Sequence, residues 1–204
     1  MTDADLGRPR AAAFGRDSLR SFVPRTEILD TAGVARAIKR MAHEILERNS
    51  GLDDVVIIGL ERGGVPIAHA LGDALRSIEG LDVPIGSVDV SFHRDDISTT
   101  AVLPEVTRIP FSVADQNVVL CDDVLFTGRT VRAALDAVTD FGRPRSIQLA
   151  VMVDRGHREL PIRPDYIGKN LPTSLDETVR VSLDAVELGT LVTLEADSQD
   201  LDAT

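Results

Sequence analysis

The run Val118-Val119-Leu120-Cys121-Asp122-Asp123-Val124-Leu125-Phe126-Thr127-Gly128-Arg129-Thr130 constrains the fold more than any other part of the chain. Its leading apolar residues predict a short buried strand, ended by two adjacent carboxylates. A turn containing Gly128 then leads into a helix that starts near Thr130. The order has chemical consequences. A helix N-terminus presents unpaired backbone N–H groups and the positive end of the helix dipole, which together hold a phosphate. Thr127 and Thr130 add hydroxyl donors, and Gly128 lets the backbone approach closely. Asp122 and Asp123, a few residues earlier, can accept hydrogen bonds from a sugar diol or help to hold Mg²⁺. A phosphate grip beside a diol grip describes a ribose 5-phosphate.

A solvated loop is the plainer reading of two carboxylates after a strand; Thr-Gly-Arg-Thr at this spacing argues against it. The chain has no G-x-x-x-x-G-K-[ST] and no G-x-G-x-x-G after a strand, so the nucleoside triphosphatase and dinucleotide readings are weak. The run resembles the motif by which type I phosphoribosyltransferases bind 5-phosphoribosyl-1-diphosphate (PRPP).

Strand and helix alternate along the chain. Asp30 or Thr31 can cap a helix to about Arg48, with Val34, Ile38, Met41, Ala42, Ile45 and Leu46 on one face. Val55–Ile58 reads as a buried strand and Gly59–Gly64 as a loop. A helix to about Ile78 buries Val65, Ala68, Leu71, Leu75 and Ile78, with Pro66 in its first turn. Ile85–Phe92 reads as a strand, and 93–110 as a long polar loop. After the key strand, a helix buries Val131, Ala134, Leu135, Val138 and Phe141 and ends at Gly142. Ser146–Val153 is a strand, followed by a loop rich in charge and proline. Val179–Leu183 and Leu191–Leu194 read as short closing strands. The fold class is therefore α/β, a mainly parallel central sheet with helices on both faces and ligands at the strands' carboxyl ends.

Residues 1–25 lack periodicity and read as a flexible extension, 26–195 as the domain and 196–204 as an acidic tail. No apolar run approaches the ~20 residues that span a bilayer, and a single cysteine, Cys121, fits a reducing cytoplasm. On a buried strand Cys121 reads as a core residue and not a nucleophile. The net charge of −11 argues against non-specific coating of nucleic acid. Its distribution is uneven, however. Residues 1–25 hold five arginines and three aspartates, whereas 176–204 hold eight acids and one base. A basic face can survive inside an acidic average.

Two further loops bear on the same site. Gly59-Leu60-Glu61-Arg62-Gly63-Gly64 joins strand to helix, and alone it reads equally as a plain turn. Beside the 118–130 motif it resembles the diphosphate loop of the same enzymes. Glu61 stands where their pyrimidine branch has Thr, an awkward charge beside diphosphate unless Mg²⁺ or Arg62 offsets it. Phe92-His93-Arg94-Asp95-Asp96 opens a loop that resembles the family's mobile hood, with Arg94 facing the departing diphosphate; a solvated charged loop is the alternative.

The stretch from Val153 to Asn170, VDRGHRELPIRPDYIGKN, is more specific. It resembles the signature of the PyrR family, which combines an RNA-binding regulator of pyrimidine operons with a uracil phosphoribosyltransferase. The similarity covers roughly residues 27–195, including Ala42-His43-Glu44, Glu47-Arg48-Asn49 and Gly142-Arg143-Pro144. The resemblance implies that Asp122 and Asp123 hold the ribose hydroxyls and that Val124, Leu125, Phe126, Thr127, Gly128, Arg129 and Thr130 wrap the 5-phosphate. It places Glu61, Arg62 and Arg94 at the diphosphate, and Arg155 and Val179 against nucleotide or base. The backbone around Ile162, Tyr166 and Ile167 would read the uracil edge. It further implies PRPP and uracil as substrates, Mg²⁺ with PRPP, UMP or UTP as regulatory ligand, and a homodimer or higher homo-oligomer.

Arg36, Arg40 and His43 share one face of the first helix, opposite its apolar stripe, flanked by Lys39 and Arg48. Such a face by itself is usually just solvated. The resemblance maps RNA contacts onto Lys39, Arg40, His43, Arg48, His157, Arg158, Arg163 and Lys169, with a stem-loop of the pyr operon leader mRNA as target. An enzyme for uracil or a related base without an RNA role is the alternative, and a regulator with weak catalysis, motivated by Glu61, is a third.

Overall fold

The computed structural model describes residues 20–61, 63–90 and 107–193. Arg62, Arg94, most of the expected hood loop and the acidic tail lie outside them.

Two sheets organise the chain. The larger has five strands in the order β3 (Ile85–Val88), β2 (Val55–Leu60), β4 (Asn117–Leu125), β5 (Ser146–Asp154) and β6 (Tyr166–Asn170). Every pairing in it is parallel. Helices α1 (Thr31–Asn49) and α2 (Gly64–Glu79) cover one face, and α3 (Arg129–Thr139) covers the other. That double cover is why all six residues of β2 are buried apolar or glycine, with no polar alternation. One core gathers Met41, Ile45, Ile57, Leu71 and Met152. The other gathers Ile58, Leu120, Leu125, Val131 and Val138.

The helices obey local signals. Asp30 caps α1, its Oδ1 accepting from the Gly33 N–H at 2.7 Å, and Arg48 lies in the last turn, where the dipole favours a cation. A buried amide–phenol network locks its end to the sheet. Asn49 and Gln148 exchange hydrogen bonds at 3.1 and 2.8 Å, and the Tyr166 hydroxyl donates to Gln148 Oε1 at 2.6 Å.

The smaller sheet is antiparallel, in the order β1 (Arg20–Leu29), β8 (Val186–Thr193), β7 (Glu177–Val181). It corrects the sequence expectation in two ways. Arg20–Arg25, assigned to the flexible extension, form the first half of β1. Pro24 is tolerated because β1 is an edge strand and its register shifts between Pro24 and Thr26. The closing strands are displaced toward the N-terminus, to Glu177–Val181 and Val186–Thr193, and the second is longer than expected.

Other boundaries also move. β2 runs on to Leu60, so the loop before α2 is shorter than expected. β3 stops at Val88, after which the Asp89 N–H turns to Thr107 Oγ1 at 3.1 Å. Helix α3 ends at Thr139, leaving Phe141 48 % exposed instead of buried. β6, expected as loop, forms because Gly168 lies flat on β5: a Cβ there would stand 2.6 Å from Met152 O and Sδ.

Candidate active site

Strand order places the site. Chain connections leave β2 toward β3 on one side, while β4 pairs on the other, so a crevice opens at the carboxyl ends of β2 and β4. The turn from β2 into α2 closes tightly on β4. A Cβ on Gly64 would lie 2.0 Å from Cys121 O, and one on Gly63 would lie 2.2 Å from Asp123 Oδ2. Glycines at both positions let the expected diphosphate loop rest directly on the carboxylate pair.

Asp122 and Asp123 do not end β4, as the sequence suggested; the strand continues through them to Leu125. Backbone pairing with β5 (Asp122 with Val151, Val124 with Val153, Leu125 with Asp154) sets the strand's length without regard to side-chain charge. Asp122, 7 % exposed, accepts the Asp123 N–H at 3.0 Å, and Asp123 Oδ1 accepts the Val124 N–H at 2.7 Å. Neighbouring residues on a strand face opposite ways, so the carboxylates diverge. Asp122 lines a cavity of about 590 Å³, whereas Asp123 abuts Gly63.

That cavity is lined by Asp122, Val124 through Val131 and Glu159. Gly128 sits at φ +92°, a left-handed conformation that glycine adopts without strain, and caps α3. Three consecutive carbonyls turn the other way, toward the segment after β5. Leu125 O accepts from Arg155 N–H at 3.1 Å. Thr127 O accepts from the N–H groups of Glu159 and Leu160 at 3.0 and 3.2 Å. Phe126 O accepts from Arg158 Nη1 at 2.7 Å. Across a planar trans peptide the next N–H points opposite to its carbonyl. Pinning these carbonyls therefore directs the N–H groups of Phe126, Thr127 and Gly128 away from the pinning segment. Among the described residues none of the three donates to a partner. They form an anion cradle at the start of a helix.

The sequence-derived residues divide. Asp122 and Val124–Thr130 share the cavity. Glu61 lines a different one of about 850 Å³, with His69, Ser87 and Arg108. Its N–H donates to Val88 O at 3.0 Å. Arg155, expected at the nucleotide, is 7 % exposed and committed to the chain: it donates to Thr173 Oγ1, Ser174 O and Glu177 O and stacks 4.3 Å over the Phe126 ring. Burial pulls its pKa down, with Glu177 opposing. Val179 is buried in the α1–α2 core, so its side chain lines neither cavity. Ile162 packs near Gly128, and its carbonyl accepts from Arg158 Nε at 3.0 Å.

Sequence reasoning missed Asp154 and Glu159. Asp154 Oδ2 pairs with Arg158 at 2.5 Å, and its Oδ1 accepts the Gly156 N–H at 3.0 Å. Glu159 lines the cavity and pairs with Arg129 at 2.6 Å. No local signal distinguishes either from an ordinary loop acid.

The eight expected RNA contacts split as well. Arg40 spans from α1 to the free edge of β6, donating to Ile167 O at 2.7 Å and Gly168 O at 2.9 Å while pairing with Glu44. Arg48 pairs with Asp165 at 2.7 Å. His157, at φ +58°, donates Nε2–H to Thr173 O at 2.6 Å, since a carbonyl can only accept, and meets the Phe126 ring edge-on. Lys169 lines an open groove with Arg40, Glu44 and Asp165. Lys39 lies by the α1–α2 groove. His43 and Arg163 are exposed.

Tyr166 gives a direct check on this packing. Burial pushes its pKa up to about 12 from 10.0, with Arg48 pulling down and Asp165 adding to the rise. The folded chain then holds the phenol proton where the unfolded chain has lost it. The contribution of Tyr166 to stability is fully present below the unfolded value of 10.0 and is lost as pH rises through about 12. The chain has one tyrosine and no tryptophan, so tyrosinate absorbance reports this group alone. Titration of the folded chain near 12 and of the urea-unfolded chain near 10 is expected; coincident curves would contradict the buried network.

Residues 24–184 match the family model for the phosphoribosyl transferase domain. The chain is 57 % identical over 172 residues to the "Bifunctional protein PyrR" of Geobacter sulfurreducens, covering 83 % of this chain and 97 % of that one. It is 52 % identical over 180 residues to the protein of the same name from Deinococcus radiodurans, covering 87 % and 98 %. Among solved structures, hypoxanthine phosphoribosyltransferase of Trypanosoma cruzi aligns with a TM-score of 0.63 at 21 % identity, covering 82 % and 98 %. A hypoxanthine-guanine phosphoribosyltransferase of Bacillus anthracis aligns at 0.62 and 16 %, covering 83 % and 99 %. These two likenesses concern the fold.

Proposed function

This chain belongs to the phosphoribosyltransferase family and, within it, to the bifunctional PyrR proteins; on that premise we propose two linked activities. It transfers the ribose 5-phosphate of PRPP to uracil, giving UMP and diphosphate. It also binds the leader of pyrimidine-operon mRNA, more tightly when UMP or UTP occupies the cavity. The observation that carries the first activity is the cradle of N–H groups at Phe126–Gly128 beside Asp122 in one cavity, an arrangement suited to a phosphate next to a diol.

The chain's own residues supply binding and electrostatics. The N–H groups of the cradle and the first turn of α3 take the 5-phosphate. Asp122 and Asp123 accept from the ribose hydroxyls. As the uracil nitrogen attacks C1 and the C1–O bond to diphosphate breaks, positive charge grows on the sugar ring. Two carboxylates at its edge favour that charge, so catalysis is positioning and charge stabilisation. Mg²⁺ arriving with PRPP would neutralise the leaving diphosphate. Asp122 in the cavity and Asp123 beside the Gly63 turn offer hard oxygen donors of the kind this ion would take. Arg62 and Arg94 are proposed for the diphosphate by resemblance alone.

RNA binding rests on the exposed side chains of His43, Arg163 and Lys169. Arg163→Ala with Lys169→Ala is expected to weaken leader binding by about tenfold or more and to flatten its salt dependence. The check is titration of leader RNA, with and without UMP, over a salt series. One observation favours the alternative, an enzyme without an RNA role: Arg40, Arg48 and Arg158 are already engaged within the chain. Binding no tighter than to scrambled RNA at low salt would select that alternative.

A further inference from the structure

Arg158 is the most heavily used cation among the described residues. Its Nη1 donates to Phe126 O at 2.7 Å, Gly156 O at 3.0 Å and Leu125 O at 3.4 Å. Its Nε donates to Ile162 O at 3.0 Å, and Nη2 pairs with Asp154. The pair is largely shielded from water, with side-chain exposures of 21 % and 17 %. Asp154 ends β5, so the guanidinium is fixed from the sheet and reaches sideways to the loop after β4. We propose, resting on the PRPP site above, that Arg158 is a positioning residue for the phosphate-binding loop: it holds the carbonyl edge of Leu125–Phe126 so that the following N–H groups face the phosphate.

The chemistry requires arginine. A planar fork with five N–H donors can serve carbonyls from the loop after β4 and the segment after β5 at once, while still pairing with a carboxylate. Lysine keeps the charge on Asp154 but cannot span both segments. With the fork removed, Phe126 O loses its charge-assisted donor and that peptide plane is free to rotate, while Leu125 O keeps the Arg155 N–H. The cradle then pays an ordering cost each time a phosphate binds. The loss appears in affinity for the phosphorylated substrate, while the base side is spared. An effect of Arg158 on RNA would in this arrangement run through loop order and not through direct contact.

The test uses the full chain with Arg158→Gln, Arg158→Lys and, as a control, Arg145→Gln, whose ion pair with Asp54 lies at the opposite end of the strands. Exchange of the Arg155, Glu159 and Leu160 amides, whose acceptors are the loop carbonyls Leu125 O and Thr127 O, is followed without ligand, and KM for PRPP and for uracil are measured separately. Arg158→Gln should exchange about tenfold faster there and raise the PRPP KM about tenfold, with kcat and the uracil KM within about twofold. Arg158→Lys, which retains the ion pair and hence the fold, should fall between, and Arg145→Gln should match the parent. Unchanged exchange and unchanged PRPP KM in both Arg158 variants overturn the proposal. If the parent chain turns over no PRPP, the proposed enzyme activity fails, and the exchange comparison still decides the role of Arg158.

Discussion

Replacing both Asp122 and Asp123 with asparagine is expected to lower kcat/KM for PRPP by about a thousandfold, because each carboxylate's charge-assisted hydrogen bonds contribute about 1.5–3 kcal/mol. Asparagine preserves size and one acceptor oxygen. The Asp123 and Val124 N–H groups therefore keep their partners, and the pairing of β4 with β5 is untouched. What disappears is the negative charge that favours both the ribose hydroxyl donors and the cationic sugar ring. The melting temperature should stay within about 4 °C of the parent, the shift produced by roughly 1 kcal/mol in a chain of this size. Steady-state kinetics with saturating uracil, beside thermal unfolding, separates the outcomes. A loss smaller than about tenfold would remove the carboxylates from the catalytic account. A large drop in melting temperature would make them structural. The single variants add detail: Asp122 faces the cavity, while Asp123 backs the Gly63 turn, so Asp122→Asn should act mainly at the ribose.

The second large effect is on stability. Gly64→Ala should destabilise the chain by about 3 kcal/mol, the upper part of the range for forcing atoms into a filled core. The melting temperature should fall by about 6–12 °C. The added methyl would stand 2.0 Å from Cys121 O, a backbone atom in the middle of β4 held by neighbours on both sides. The carbonyl cannot retreat, so the start of α2 must lift from the sheet, carrying the Gly63 turn off Asp123. Gly80→Ala provides the contrast. Its φ of +72° makes alanine strained, but nothing lies within 4 Å, and a cost of only about 1–2 kcal/mol is expected. Equal losses at the two positions, measured by urea unfolding, would show that the close approach on β4 is not what requires glycine.

Local chemistry made much of this legible. Asp30 before an apolar stripe announced α1, and the continuous apolar runs in β2, β4 and β5 announced a sheet covered on both faces. The Thr-Gly-Arg-Thr run announced a turn at Gly128 and a helix start directly after it. Each of these signals acts within one or two turns of chain. β1 and β6 gave no such signal. β1 carries Pro24 and three charges and exists because β8, more than 150 residues away, supplies its one ladder among the described residues. β6 is held by Gly168 lying on Met152 and by Arg40 on its outer carbonyls.

The same division runs through the charged residues. The sequence by itself determined which cations exist and which face of α1 carries them, because helical periodicity is a local property. Only the tertiary structure decided what they do. Arg40 meets β6 across 127 positions, and Arg158 reaches carbonyls 32 and 33 positions earlier. A buried carbonyl that no strand partner satisfies takes whatever donor the packing brings to it, and its identity is written in no local pattern.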